Sequence, residues 1–127
     1  TKESNVYDGS TPTLVFIGNN SSASARKAEF LTIPNMEIVA VDFAKGLEVQ
    51  LLTKLYQRNI SSLFIEGGAT LINSFLERNL WDEARVFVGN QFFYDGVKAP
   101  QFTGEICSYY EIGDSKLFTY RNRPTIG

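Results

Sequence analysis

Apolar runs with the period of β-strands alternate along this chain with apolar stripes at the spacing of helices. The runs "TLVFIG" at residues 13–18 and "MEIVAVD" at residues 36–42 predict two strands, the first apolar on both faces. The segment "KGLEVQLLTKLYQRN" that follows has one apolar stripe, formed by Leu47, Leu51, Leu52, Leu55 and Tyr56. This spacing predicts a helix with a single buried face.

The same alternation continues into the second half of the chain. The run "SSLFIE" at residues 61–66 predicts a third strand, a helical stripe follows and ends near Asn79, and "EARVFVG" at residues 83–89 predicts a further strand. The stripe comprises Leu71, Ile72, Phe75 and Leu76. Strand, helix, strand is the order of a mostly parallel central sheet flanked by helices. The tail "ICSYYEIGDSKLFTYRN" places Gly113-Asp114-Ser115 between two β-rich runs, which adds a C-terminal antiparallel hairpin.

Length and composition indicate one α/β domain spanning residues 1–127 and exclude several classes of function. A net charge of −2 without a basic run argues against a nucleic-acid partner, and the apolar runs are too short for a membrane span. Cys107 is the only cysteine, so no internal disulfide can form; we expect a buried strand residue and a cytoplasmic protein. Histidine is absent, which removes zinc-hydrolase and Ser-His-Asp chemistry. Any catalysis therefore uses carboxylates, the backbone or a cofactor, and no metal is expected.

One glutamate and two glycines stand between the third predicted strand and its helix. Glu66-Gly67-Gly68 occupies the turn at the carboxyl end of a predicted parallel strand, where α/β sheets bind ligands. Glycine lets the backbone approach an anion closely, and the first helical turn offers free N–H groups to a phosphate. The local pattern alone is equally typical of a tight turn in which Glu66 is solvated.

The wider run "SLFIEGGATLINSFLERNLWDEARVFVG", residues 62–89, resembles the reductase domain of the bifunctional riboflavin-biosynthesis deaminase/reductase family. Its signature is an apolar strand, Glu-Gly-Gly, a helix and then Asp-Glu. The segments "DGSTPTLVFIG" and "LLTKLYQRNIS" look like the preceding strand and helix of that domain, so the resemblance covers approximately residues 8–103 and, more loosely, the tail.

The resemblance implies a dihydrofolate-reductase-like fold that uses NADPH to reduce the ribosyl group of 5-amino-6-(5-phosphoribosylamino)uracil to its ribityl form. It places the cofactor phosphates near Gly67, Gly68, Ala69 and Thr70. Glu66 would then be the catalytic residue, holding the substrate by hydrogen bonds and moving protons during reduction. In folds of this type the paired glycines can be joined by a cis peptide, which we expect for Gly67–Gly68.

Other residues have weaker claims to the site. Gly18, Asn19 and Asn20 follow the first predicted strand and could contact the adenosine end of NADPH, although the pattern favours a polar surface loop. Arg26 and Lys27 are the nearest cations for the 2′-phosphate. Ser21 or Ser22 could cap a short helix, and residues 95–100 form a loop that could close over the substrate. The other residues are expected to be structural: Asp82 and Glu83 in a turn, and Trp81, Phe92 and Phe93 in packing.

The chain departs from the family pattern at its amino end. The first strands of the reductase domain and the zinc deaminase domain have no counterpart, so we expect a partial domain that is inactive alone. Unpaired sheet edges would favour self-association into a homo-oligomer. Two alternatives stay open: a non-catalytic nucleotide-binding module, and a structural α/β assembly domain without a ligand.

Overall fold

A computed structural model describes residues 5–20 and 27–123. The chain divides between Ser62 and Leu63 into two compact units, and each is described by itself. Expectations for Ser21, Ser22 and Arg26 lie outside the described residues.

The first unit contains a parallel pair of strands, a helical turn at residues 27–30 and one longer helix. A 3₁₀ turn at Asn5–Tyr7 precedes strand β1 (Thr13–Gly18), which pairs in parallel with β2 (Met36–Val41) from Thr13↔Met36 to Gly18↔Val41. Helix α1 (Leu47–Tyr56) contacts β2. These three elements confirm the predicted strands and helix within one or two residues.

The buried face of α1 is rotated relative to the predicted stripe. Tyr56 is 79% exposed, whereas Glu48 in the first turn is only 7% exposed. Glu48, Leu52 and Leu55 follow the i, i+4, i+7 spacing of one helical face, so burial is shifted toward Glu48. Val39 and Val41 of β2 are the buried residues of this unit's small core.

The second unit is one helix and a three-stranded antiparallel sheet. Helix α2 (Ala69–Glu77) buries Phe75, as its stripe predicts. Strands β3 (Glu83–Val88), β4 (Glu105–Ile112) and β5 (Ser115–Arg121) are arranged in the order β3-β5-β4. Gly113 adopts a φ of 58° in the two-residue turn of the β4–β5 hairpin, a conformation that glycine adopts without steric cost.

The predicted third strand is wrong. Residues 61–66 are not in regular secondary structure, and Leu63 and Phe64 are 46% and 69% exposed. A strand exists only where a neighbouring backbone completes its hydrogen bonds, and neither described sheet pairs with this segment. The next strand, β3, pairs antiparallel with β5, so parallel pairing is confined to β1 and β2 in the described chain.

Cys107 is exposed, contrary to the expectation of a buried strand residue. The pairing of β4 with β5 shifts between Ile106 and Ser108, so Cys107 lies at a β-bulge. A bulged residue is left out of the regular ladder, so its side chain need not follow the alternation that strand periodicity assumes. Its Sγ donates to the carbonyl oxygen of Thr119 at 3.3 Å.

Candidate functional site

The paired glycines form the turn that enters α2. Both are exposed, and a Cβ built on either would meet no atom within 4 Å. The peptide bond between Gly67 and Gly68 is cis, which confirms the expectation from the family resemblance. The turn therefore presents bare backbone next to open space.

The first turn of α2 has free N–H groups and no competing carboxylate. Gly68 is the N-cap residue, and no side chain of the described chain makes a capping hydrogen bond to this helix end. The first turn contains no acidic residue, and the helical bonding begins with Ile72 N donating to Gly68 O at 3.1 Å. The N–H groups of Ala69 and Thr70 precede that bond, so they can donate to an anion. These features fit a cofactor phosphate.

Glu66 stands immediately before the glycine turn and is exposed. Its carboxylate is therefore open to a bound molecule rather than used in a core. Since an ionised carboxylate only accepts hydrogen bonds, it suits a ligand that presents hydroxyl or amino groups. Glu66, Gly67, Gly68, Ala69 and Thr70 form one continuous segment of the second unit.

Gly18 and Asn19 belong to the first unit, at the carboxyl end of β1. Asn19 N donates to Val41 O at 3.1 Å, which extends the parallel ladder by one bond. A Cβ on Gly18 would lie 3.2 Å from Cδ2 of Phe43. Glycine is thus explained here by the ring that packs over it, a contact that local sequence could not show. Asn19, Asn20 and Lys27 are exposed.

Asp82 and Glu83 make contacts at the start of β3. The carbonyl oxygen of Asp82 accepts from Asn122 N at 2.9 Å. Glu83 is the first residue of β3, and its carboxylate lies 2.9 Å from Arg85 Nε. The main chain of Asp82 thus bonds to the residue that follows β5, and Glu83 makes a surface ion pair within β3.

The segment between β3 and β4, residues 89–104, has an exposed tip and a packed base. Phe92 and Phe93 are 91% and 87% exposed, so the expectation that they are core residues is wrong. At the base, Phe102 contacts Trp81 edge-on with ring centroids 5.3 Å apart and Tyr120 with centroids 5.1 Å apart. The packing role of Trp81 is confirmed, and Phe102 takes the place expected of the earlier phenylalanines because it lies between two rings.

Two cavities flank this base. One of about 580 Å³ is lined by Trp81, Gln101 and Thr103 among others, and one of about 650 Å³ is lined by Val86, Pro100 and Tyr120 among others. Neither is lined by Glu66 or the glycine turn. They belong to the packing of the 89–104 segment, which sequence periodicity does not describe.

Within residues 5–20 and 27–123, acidic and cysteine side chains form no group of three that could hold a metal ion. Within the same residues, no helix has the length and apolar character needed to cross a membrane.

Comparison with known proteins identifies the family of the chain. Over 50 residues the chain is 40% identical to an Archaeoglobus fulgidus protein named 2,5-diamino-6-ribosylamino-4(3H)-pyrimidinone 5′-phosphate reductase. That match covers 39% of this chain and 22% of the relative, so the chain spans less than a quarter of the relative's length by this alignment. The profile of the family described as "RibD C-terminal domain" matches residues 1–103, a range that includes the Glu-Gly-Gly element. The chain belongs to the RibD C-terminal domain family, and its mixed α/β fold is the dihydrofolate-reductase-like fold of that family.

Proposed function

We propose that this chain contributes to an NADPH-dependent reductase of riboflavin biosynthesis. The reaction is reduction of the ribosyl group of 5-amino-6-(5-phosphoribosylamino)uracil to the ribitylamino form. The observation that carries this proposal is the exposed Gly67–Gly68 turn leading into an uncapped helix, inside the region that matches the family.

The reaction adds one hydride and one proton to the sugar. The bond between C1′ and the ring oxygen O4′ breaks, a hydrogen adds to C1′ with its electron pair, and O4′ takes up a proton to become a hydroxyl. The nicotinamide of NADPH supplies the hydride when the cofactor is bound. The protein must hold both reactants close and in a fixed orientation, which accounts for much of the rate gain in such reactions.

In the proposed site, α2 binds the phosphates of the cofactor. The N–H groups of Ala69 and Thr70 donate to phosphate oxygens, and the partial positive charge of the helix N-terminus adds to the attraction. Gly67 and Gly68 allow close approach because no side chain stands between the backbone and the ligand. Gly18 and Asn19 are assigned to the adenosine end, at the carboxyl ends of β1 and β2.

Glu66 is the proposed catalytic residue. Its exposed carboxylate accepts hydrogen bonds from the ribosyl hydroxyls or the pyrimidine amino group. Such bonds to a charged acceptor orient the sugar for hydride addition, and we assign to the same carboxylate the exchange of the proton that O4′ gains.

A second substrate is favoured by the name of the relative. The A. fulgidus protein is named for a 2,5-diamino-4-pyrimidinone, which carries an amino group where the uracil compound carries a carbonyl. Both compounds present the same phosphoribosylamino group. The two therefore differ in one hydrogen-bonding group at the pyrimidine, and the reduced bond is the same.

Assay of the full-length protein with each pyrimidine separates these candidates. We expect loss of NADPH absorbance at 340 nm and a product two mass units heavier for at least one of them. Cofactor binding without turnover of either would favour a nucleotide-binding module. Absence of any effect of NADPH on thermal stability would favour a structural assembly domain.

We also propose that residues 1–127 act as a single domain within a cytoplasmic homo-oligomer. The only cysteine, Cys107, cannot form an internal disulfide, which suits a reducing compartment. The described sheets leave β1, β2, β3 and β4 as edge strands, and open edges favour association between copies. Sedimentation of the full-length protein tests the oligomer; a monomer at high concentration would contradict it.

A further inference from the structure

One side chain holds the loop that follows β2. This loop, residues 42–46, connects β2 to α1, and Gln50 lies in α1 beyond it. Gln50 Oε1 accepts from Asp42 N at 2.9 Å, while Gln50 Nε2 donates to Asp42 O at 2.9 Å and also to Lys45 O. The amide of Gln50 thus bonds both the N–H and the carbonyl of Asp42, and also the carbonyl of Lys45.

Only an amide of this length can make this set of bonds. The glutamine side chain offers an acceptor and two donors, as a neighbouring peptide strand would. Glutamate has no donor at the same position, and methionine has neither group. Within the loop, Ala44 N donates to Asp42 Oδ1 at 2.9 Å and Lys45 N donates to Asp42 O at 3.3 Å. The loop is therefore held by hydrogen bonds that all lie within the protein.

The loop presents two side chains at the carboxyl ends of β1 and β2. The Phe43 ring packs over Gly18 and is still 59% exposed. The ammonium group of Lys45 lies 3.8 Å from Asp42 Oδ2, and its side chain is 84% exposed. An exposed aromatic face and a cation at this edge of a parallel sheet suit a purine base and a phosphate attached to the same ribose.

We infer that Gln50 is a positioning residue for the adenosine end of the dinucleotide. It acts through the loop: Gln50 fixes Asp42 and Lys45, and thereby holds Phe43 over Gly18 before the cofactor arrives. This inference rests on the proposed function. A preset loop lowers the ordering cost of binding, so Gln50 raises affinity for the cofactor without contacting it.

The test uses three substitutions on one helix. Gln50→Met keeps the length of the side chain and removes all its hydrogen bonds, whereas Gln50→Glu keeps only the acceptor for Asp42 N. Gln57→Met is the matched control, because Gln57 is exposed at the end of α1. Calorimetry with NADPH and with 2′,5′-ADP measures affinity, and amide exchange of residues 42–46 measures the loop in the absence of ligand.

We expect Gln50→Met to weaken binding of both ligands about tenfold, the loss expected when a loop must be ordered on binding. Exchange at residues 43–46 should accelerate, kcat should be unchanged and only KM for NADPH should rise. The NADPH affinity of Gln50→Glu should lie between those of wild type and Gln50→Met, and the affinity of Gln57→Met should equal that of wild type. Unchanged affinity in Gln50→Met, or a lowered kcat with an unchanged KM, would overturn the inference.

Failure of the inference is separable from failure of the proposed function. Wild-type protein that binds neither NADPH nor 2′,5′-ADP refutes both, whereas wild-type binding that Gln50→Met retains refutes the inference alone. If Gln50→Met does not fold, Phe43→Ala decides, because it leaves every main-chain bond of the loop in place. Phe43→Ala should weaken 2′,5′-ADP binding; unchanged affinity would overturn the assignment.

Lys45 supplies a second readout. Lys45→Gln should weaken NADPH and leave NADH affinity unchanged, because NADH lacks the 2′-phosphate. Equal weakening of both dinucleotides would contradict the placement of the phosphate at this loop.

Discussion

Arg58 and Glu37 join the end of α1 to the β2 strand through paired hydrogen bonds. Arg58 Nε lies 3.1 Å from both carboxylate oxygens of Glu37, and Arg58 Nη2 also donates to Glu37 Oε1. The same guanidinium donates through Nη1 to Lys54 O at 2.6 Å, so one side chain serves both the helix end and the strand. The fork geometry of arginine makes such two-point contacts with a carboxylate.

This pair predicts acid-sensitive stability in the first unit. The hydrogen bond from Arg58 lowers the pKa of Glu37 below its usual value of 4.5. Because the folded-state pKa is depressed, the stabilisation is fully present above pH 4.5 and is lost as pH falls below it. Glu37→Gln should therefore lower the urea midpoint at pH 7, and the difference from wild type should shrink toward pH 3. A difference that is the same at both pH values would contradict this account.

The ring contacts of Phe102 predict a stability difference within one loop. Phe102→Ala removes the edge contacts with Trp81 and Tyr120 and should cost about 2 kcal/mol in the free energy of unfolding, since the ring is half-buried. Phe93→Ala is the matched control, because Phe93 is 87% exposed and should change stability little. Urea unfolding followed by Trp81 fluorescence measures both. Equal effects of the two substitutions would show that Phe102 is not the anchor.

Removal of the charge at Glu66 tests the catalytic assignment. Glu66→Gln keeps the size of the side chain and loses the charged acceptor, so turnover should fall about 10- to 100-fold. Glu77→Gln is the control, since Glu77 is exposed at the opposite end of α2. Initial rates with NADPH and the pyrimidine substrate are measured for each full-length protein. Unchanged kinetics in Glu66→Gln would end the assignment of this residue.

An acidic residue in the first turn of α2 should have opposite effects on folding and on binding. Thr70 is exposed, and Thr70→Glu places a negative charge at the positive end of the helix, which should stabilise the fold by about 0.5 kcal/mol. The same charge repels a phosphate and should weaken NADPH binding about fivefold. Thermal unfolding and calorimetry record the two effects, and Thr70→Gln controls for side-chain size. Stabilisation with unaltered NADPH affinity would place the phosphates elsewhere.

Much of the local structure could be predicted because it depends on neighbouring residues. Short apolar runs located β1, β2 and β3, and the helical stripe containing Phe75 located α2. Gly113 marked the hairpin because its φ of 58° suits glycine. The Gly67-Gly68 turn before α2 was also indicated by the sequence, and the helix begins directly after it at Ala69.

Features that depend on distant residues could not be predicted. Residues 61–66 have strand composition, yet a strand also requires a paired backbone, which composition does not specify. The need for glycine at position 18 comes from the ring of Phe43, which is 25 positions away along the chain. The loop held by Gln50 has no periodic pattern in the sequence. Phe92, Phe93 and Phe102 lie in the same loop, and only the path of the loop decides that Phe102 packs against Trp81 while the other two are exposed.

The bulge at Cys107 interrupts β4, an edge strand of the second sheet. A long, regular edge is a template on which other chains can add strand after strand, and bulges are one of the devices by which natural sheets prevent such aggregation. The uninterrupted part of this edge beyond the bulge is the short stretch from Ser108 to Ile112. Substitutions that straighten the bulge are therefore expected to make the protein harder to keep in solution, even where they make β4 a more regular strand.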